Sequence, residues 1–145
     1  MEIQTDYKEL LALLNAHDVA YLIVGAHALA YHGAPRYTGD LDILVQPDPI
    51  NSERLLTALD AFGFGDIGLT AEDFAFPDKV VQLGVAPVRI DLVTSITGVS
   101  WEDAISGCCA DFYGDVAIRY LGRTELIRNK RALGRAKDLA DIEAL

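Results

Sequence analysis

Residues 21–45, YLIVGAHALAYHGAPRYTGDLDILV, decide how the rest of this chain folds. The apolar run Ala20–Val24 is short, partly β-branched and stopped by Gly25, which predicts a buried strand. A short helix should follow over Ala26–His32, because Gly and Pro residues come directly after it. The pattern then predicts a second strand over Thr38–Val45.

Acidic residues alternate along this second strand. Side chains of a strand point in turn to opposite faces, so Thr38, Asp40 and Asp42 should share one face while Leu41 and Ile43 enter the core. Taken alone, two such carboxylates are often no more than solvated groups on an exposed face. Side by side, however, they repel one another unless a cation lies between them. The pattern therefore raises the hypothesis of a divalent metal site.

The remaining chain alternates between helical and strand patterns. Helices are predicted at residues 5–17 with Thr5 as N-cap, from Asp48-Pro49 to Gly63, from Ser100 onward, and at 124–133 and 136–145. Strands are predicted at 79–85 and 88–94, joined by a turn at Ala86-Pro87, and at 113–121, and a loop is predicted at 63–78. Helices interleaved with strands indicate an α/β (α+β) fold with a mixed central sheet and flanking helices. The length fits a single domain over residues 1–145.

Composition and charge restrict the classes of function. The net charge of −10 argues against broad wrapping by nucleic acid. The two cysteines, Cys108 and Cys109, are adjacent and predict a reducing compartment. No apolar run approaches the length of a membrane span, and the N-terminus does not resemble a signal peptide. We therefore expect a cytoplasmic protein without a membrane partner.

The positive charge is concentrated near the C-terminus. Seven of the 12 Lys and Arg residues lie between Arg119 and Lys137, with Glu125 as the one acid among them, so this segment is near +6 and the remainder near −16. A ligand that carries phosphate should approach this segment, although a run of charges is more often a solvated helix face. Arg36, just before the acidic strand, is a further candidate for phosphate contact.

A third acid completes the candidate site. Asp91 lies on a later predicted strand, and neighbouring strands of one sheet are about 4.8 Å apart, so it can join Asp40 and Asp42. Three carboxylates suit Mg²⁺ or Mn²⁺, which usually takes further ligands from substrate phosphates. The backbone N–H groups after Gly25, at a predicted helix start, are suited to a triphosphate. His27 and His32 are five residues apart and do not have the spacing of a helical metal pair.

The order of these features resembles the nucleotidyltransferase superfamily of DNA polymerase beta. Its pattern of Gly followed by a small residue, then Asp-x-Asp, appears as Val24-Gly25-Ala26 and Asp40-Leu41-Asp42-Ile43, with Asp91 in Arg89-Ile90-Asp91-Leu92. Ala26 stands where the family usually has Gly or Ser. The resemblance implies a nucleotidyltransferase fold in which these three acids are catalytic and hold the metal. Gly25, Ala26 and Thr38 would then contact substrate.

The C-terminal segment is similar to the abortive-infection (AbiEii-like) branch of that superfamily. The likeness lies in Leu126-Ile127-Arg128-Asn129-Lys130-Arg131 and in Gly134–Ile142. It implies that Lys130 binds nucleotide phosphates and that Asp138 or Asp141 closes the site, with Lys137 as a further substrate contact. From spacing alone, Lys137 and Asp141 are equally well a surface ion pair.

The predicted function is transfer of a nucleoside monophosphate from an NTP to a hydroxyl (or phosphate) acceptor by a two-metal carboxylate mechanism. The resemblance implies an RNA or tRNA end or a protein hydroxyl as acceptor. It also implies a toxin role in a toxin–antitoxin or abortive-infection system, with a cognate antitoxin as partner. The alternative is a weakly active or inactive module of the same fold that acts as an antitoxin or binds a partner protein.

Overall fold

The computed structural model of this chain describes residues 3–34, 39–85 and 88–145, where helices and strands alternate. The helices are α1 (Thr5–Ala16), α2 (Gly25–Tyr31), α3 (Pro49–Leu59), α4 (Glu72–Ala75), α5 (Trp101–Ser106), α6 (Arg123–Leu133) and α7 (Ala136–Ala144). The strands are β1 (Tyr21–Val24), β2 (Asp40–Val45), β3 (Val80–Leu83), β4 (Arg89–Val93), β5 (Cys109–Tyr113) and β6 (Val116–Tyr120). A π-helical segment, Asp60–Phe64, extends α3.

All strands of the described residues join one mixed sheet, in the order β3-β4-β2-β1-β6-β5. Strand β1 runs antiparallel to β2 and parallel to β6, and β2 runs parallel to β4. The outer pairs β3–β4 and β5–β6 are antiparallel. This mixed sheet with flanking helices confirms the predicted fold class.

The central strands carry most of the buried apolar side chains. All four residues of β1 are buried, and Leu41 and Ile43 of β2 are fully buried, as the alternation of side chains predicted. Ile90 and Leu92 of β4 are buried on the same pattern. Because these residues fix which face of each strand meets the core, they also fix the direction of the acidic side chains between them.

Helix α1 covers the sheet with a stripe of leucines, Leu10, Leu11 and Leu14, all without solvent exposure. The sequence pointed to Thr5 as its N-cap, but Thr5 is the first helical residue. The side chain of Gln4 instead accepts hydrogen bonds from the backbone N–H groups of Asp6 (2.6 Å) and Tyr7 (3.3 Å). A Gln amide oxygen reaches the same N–H groups that a shorter cap would satisfy.

Two parts of the chain differ from their predicted structure. The strand predicted over 113–121 is the second half of a hairpin, β5–β6, which turns at Gly114 with φ +64°. The predicted loop 63–78 contains the short helix α4, because Phe74 is fully buried there. The predicted turn at Ala86-Pro87, between β3 and β4, lies outside the described residues.

Within the described ranges, every helix is too short or too polar to cross a membrane.

Candidate active site

Three carboxylates meet on adjacent strands at the centre of the sheet. Strands β2 and β4 are parallel and in a register that pairs Asp42 with Asp91 and Asp40 with Arg89. Each of Asp40, Asp42 and Asp91 offers an oxygen that lies within 4.8 Å of the other two. Asp91 is buried and the other two are half-buried. The structure therefore places Asp91 of β4 next to Asp40 and Asp42 of β2, as the sequence analysis expected.

The charges of this cluster oppose one another. Burial, followed by the negative charges of Asp40 and Asp91, raises the pKa of Asp42 from 3.8 to about 7. The ionised cluster is therefore electrostatically unfavourable by itself. A divalent cation with oxygen ligands would remove this conflict, so the donor set fits Mg²⁺ or Mn²⁺.

Arg89 forms a two-bonded ion pair with the third acid. Its Nε lies 3.0 Å from Oδ1 of Asp91 and its Nη2 lies 3.1 Å from Oδ2. The backbone carbonyl of Arg89 in turn accepts a hydrogen bond from the Tyr7 hydroxyl, at 3.0 Å. The sequence interpretation named Arg89 as a neighbour of Asp91 but did not assign it to the site. Their i, i+2 spacing on one strand was the available signal.

Gly25 lies against Asp42 at the end of β1. Its φ is +66°, a left-handed conformation that favours glycine, and a Cβ at this position would overlap the Asp42 carboxylate. Strand pairing explains the contact, since Val24 is the register partner of Asp42. Gly25 thus begins α2 and also leaves space for one of the three acids.

Half-buried His27 packs edge-on against Tyr7, with the two ring centroids 5.9 Å apart. Burial lowers the pKa of His27, although Asp40 acts in the opposite direction. His27 therefore favours its neutral form next to the acidic cluster.

A cleft of about 860 Å³ connects the acids with the basic C-terminal segment. One part of its lining, here called the acidic wall, consists of Gly25, Ala26, Asp40 and Asp42. Another part, here called the basic wall, consists of Asn129, Lys130, Leu133, Arg135 and Lys137. The cleft therefore combines carboxylates with cations, as a site for a metal ion together with a phosphate ester requires.

The Lys130 ammonium lies between two acids of α7. Lys130 is 6% exposed, and its Nζ is 3.1 Å from Oδ2 of Asp141 and 3.5 Å from Oδ1 of Asp138. Asp141 therefore pairs with Lys130, where spacing alone had pointed to Lys137 as its partner.

Asp138 is fully buried and serves the start of α7. It accepts hydrogen bonds from the Arg135 side chain, with Nε–Oδ2 at 2.6 Å and Nη2–Oδ1 at 3.2 Å, and from the Arg135 backbone N–H. These hydrogen bonds hold the pKa of Asp138 at about 2, against the effect of burial. The carboxylate thus stays ionised and fixes Arg135, which lines the cleft.

Other cations of the C-terminal segment form hydrogen bonds and ion pairs away from the cleft. Arg128 donates to the Gly98 carbonyl at 3.0 Å and pairs with Asp103 at 2.7 Å. Arg123 donates to the Leu145 carbonyl at 2.8 Å. The positive segment is therefore only partly directed at the cleft, which its sequence could not show. Two further predicted contacts, Arg36 and Thr38, lie outside the described residues.

Comparison with known proteins identifies the fold. No protein-family model matches the chain, and no curated protein matches it in sequence. The structure is similar to a crystal structure of a "putative nucleotidyltransferase" from Thermotoga maritima, with a TM-score of 0.65 and 13% sequence identity. The similarity covers 98% of this chain and 93% of that chain. The chain thus has a nucleotidyltransferase-like fold.

Proposed function

We propose that this protein is a metal-dependent nucleotidyltransferase that moves a nucleoside monophosphate from an NTP to a hydroxyl (or phosphate) acceptor. The observation that carries this proposal is the convergence of Asp40, Asp42 and Asp91 within 4.8 Å beside a cleft that also has a basic wall. The nucleotidyltransferase-like fold supports the same reaction class.

The three acids would hold the metal ion, Mg²⁺ or Mn²⁺. When bound, the ion supplies charge neutralisation and polarisation of the α-phosphate. The raised pKa of Asp42 supports this assignment. It reflects burial together with repulsion by Asp40 and Asp91, and a bound cation would offset both effects.

The remaining residues bind and orient the substrates. Lys130, Arg135 and Lys137 would contact the triphosphate from the basic wall, and the backbone of Gly25 and Ala26 would contact it from the other. Asp138 would act as a positioning residue for Arg135 and Lys130, because its carboxylate is buried beneath both. We retain Arg36 and Thr38 as candidate phosphate contacts on their sequence position alone.

The reaction exchanges one phosphorus–oxygen bond for another. The acceptor oxygen, oriented by Asp91, forms a bond to the α-phosphorus while the bond from that phosphorus to the β-phosphate oxygen breaks. Pyrophosphate leaves along the basic wall, and the hydroxyl proton passes to a carboxylate of the cluster.

The acceptor and the biological role follow from the AbiEii-like resemblance of the C-terminal segment. On that basis we propose an RNA or tRNA end, or a protein hydroxyl, as acceptor. The same resemblance supports a toxin role with a cognate antitoxin as partner.

Transfer of label from α-³²P-NTPs to total tRNA or protein tests the proposal. The parent should transfer label with Mg²⁺ or Mn²⁺, and Asp42→Asn should not. Asp66→Asn, which removes an exposed carboxylate from a loop, is the matched control and should retain transfer. Calorimetry with metal–NTP should show binding by the parent and weaker binding by Asp42→Asn. Absence of transfer under every metal, with equal metal–NTP binding by both proteins, would favour the partner-binding module.

A further inference from the structure

The carboxylate cluster already contains one cation from the protein itself. Both oxygens of Asp91 are in hydrogen-bond contact with the Arg89 guanidinium, at 3.0 and 3.1 Å. Charged, two-bonded contacts of this kind are among the strongest hydrogen bonds in proteins. Asp91 is therefore not in the same electrostatic state as the other two acids.

Strand register holds the guanidinium in the cluster. On parallel β2 and β4, Arg89 is the partner of Asp40 and Asp91 is the partner of Asp42, so the four charged groups occupy neighbouring positions on two strands. The Tyr7 hydroxyl fixes the Arg89 carbonyl. The side chain of Asp91 is 11% exposed, so breaking the pair would leave a largely buried carboxylate without its strongest partner.

The charge of the cluster is matched by one divalent cation. Three ionised carboxylates and one guanidinium carry a net charge of −2. One divalent ion neutralises this charge, whereas a second would leave an excess of two positive charges before any substrate has bound. A second ion at Asp91 would also lie next to the Arg89 guanidinium, which contacts both oxygens of this carboxylate and would repel the ion.

From these contacts we infer that Arg89 takes the place of a second metal ion in the nucleotide-free site, so that the protein by itself binds one divalent cation. This inference rests on the metal site of the proposed function, and it limits the two-metal hypothesis drawn from the sequence to a second ion that arrives with the NTP. Arg89 supplies a fixed positive charge next to Asp91, the acid that orients the acceptor, while the three acids together would hold the one metal ion.

The number of Mn²⁺ ions bound per chain tests the inference without any measurement of activity. Free Mn²⁺ is measured by electron paramagnetic resonance during titration of the whole protein, with Mn²⁺ as the only ligand. The variants are Arg89→Gln, Arg89→Lys and Arg128→Gln. Arg128→Gln is the control. It changes the net charge by the same amount as Arg89→Gln, but it breaks the ion pair between Arg128 and Asp103, and neither of these residues lines the cleft. Circular dichroism and urea unfolding check that each variant folds.

The expected result is one Mn²⁺ for the parent, two for Arg89→Gln, one for Arg128→Gln and one for Arg89→Lys, where the ammonium restores the charge. Two ions in the parent, or one ion in both the parent and Arg89→Gln, would overturn the inference and leave the proposed function standing. No Mn²⁺ binding by the parent would overturn both. If Arg89→Gln does not fold, the parent decides, since one ion supports the inference and two contradict it.

Discussion

Replacement of Asp42 by Asn should stabilise the metal-free protein at high pH. The folded-state pKa of Asp42 is raised from 3.8 to about 7, so folding disfavours its charged form. Between these two values the folded state binds a proton that the unfolded state has lost, and stability falls as the pH rises. Below about pH 4 the effect is absent, and above about pH 7 it is fully developed. Asn has a similar shape and no charge, so it should remove this penalty.

The size of the effect follows from the pKa shift. At about 1.4 kcal/mol per pKa unit, the full shift corresponds to an upper limit of about 4 kcal/mol. Because Asp42 is only half-buried and shares its titration with two neighbouring acids, we expect a measured gain of about 1–3 kcal/mol at pH 8. At pH 4 the parent and the variant should differ by less than about 0.5 kcal/mol.

Urea unfolding in EDTA at pH 4 and pH 8 measures both values, with Asp66→Asn as the control for net charge. With saturating Mn²⁺ at pH 8, the parent should become more stable than Asp42→Asn. An ion at 100 times its dissociation constant stabilises the parent by about 2.7 kcal/mol, and it should stabilise the variant by much less. A metal-free Asp42→Asn protein that is less stable than the parent at pH 8 would refute the electrostatic reasoning and assign Asp42 a structural role.

Three further substitutions, one of them with a matched control, test residues that line the cleft. Gly25→Ala should lower the free energy of unfolding by more than about 2 kcal/mol, since strain at positive φ adds to overlap with the Asp42 carboxylate. Gly68→Ala should lower it by about 1 kcal/mol, from backbone strain alone. Urea unfolding measures both values, and equal losses would contradict the contact between Gly25 and Asp42. Lys130→Met should cost about 2–4 kcal/mol, because it removes the shared cation of two buried acids. Lys137 is exposed, so Lys137→Gln should change the free energy of unfolding by less than about 0.5 kcal/mol. The same variant should bind NTP about 3- to 10-fold more weakly in calorimetry. Unchanged NTP binding would show that Lys137 is not part of the site.

Local patterns were sufficient to predict the elements that build the site. The apolar run before Gly25 and the alternation around Asp40 and Asp42 predicted two strands and the faces of their side chains, because burial of a strand is readable from its period of two. Convergence of Asp91 with them depended on a long-range pairing, β2 with β4. The sequence could indicate this pairing only through the resemblance to a known superfamily.

The missed features depend on partners that are distant in sequence or on residues with no period. The short helix α4 forms because Phe74 finds a buried position, which its surroundings of Gly, Asp and Phe do not reveal. The roles of Arg128 and Arg123 are set by the carbonyl groups of Gly98 and Leu145, far away along the chain. The sequence shows how many cations a segment contains, but it does not show which acids or carbonyl groups they contact.

The space that Gly25 leaves for Asp42 has an evolutionary consequence. The first residue of α2 and a residue of β2 are constrained as a pair, since a side chain at Gly25 would displace the carboxylate of Asp42. In descendants of this chain that keep the acid, selection should therefore also keep the glycine. A lineage in which both Gly25 and Asp42 have changed would have lost the metal site while keeping the fold.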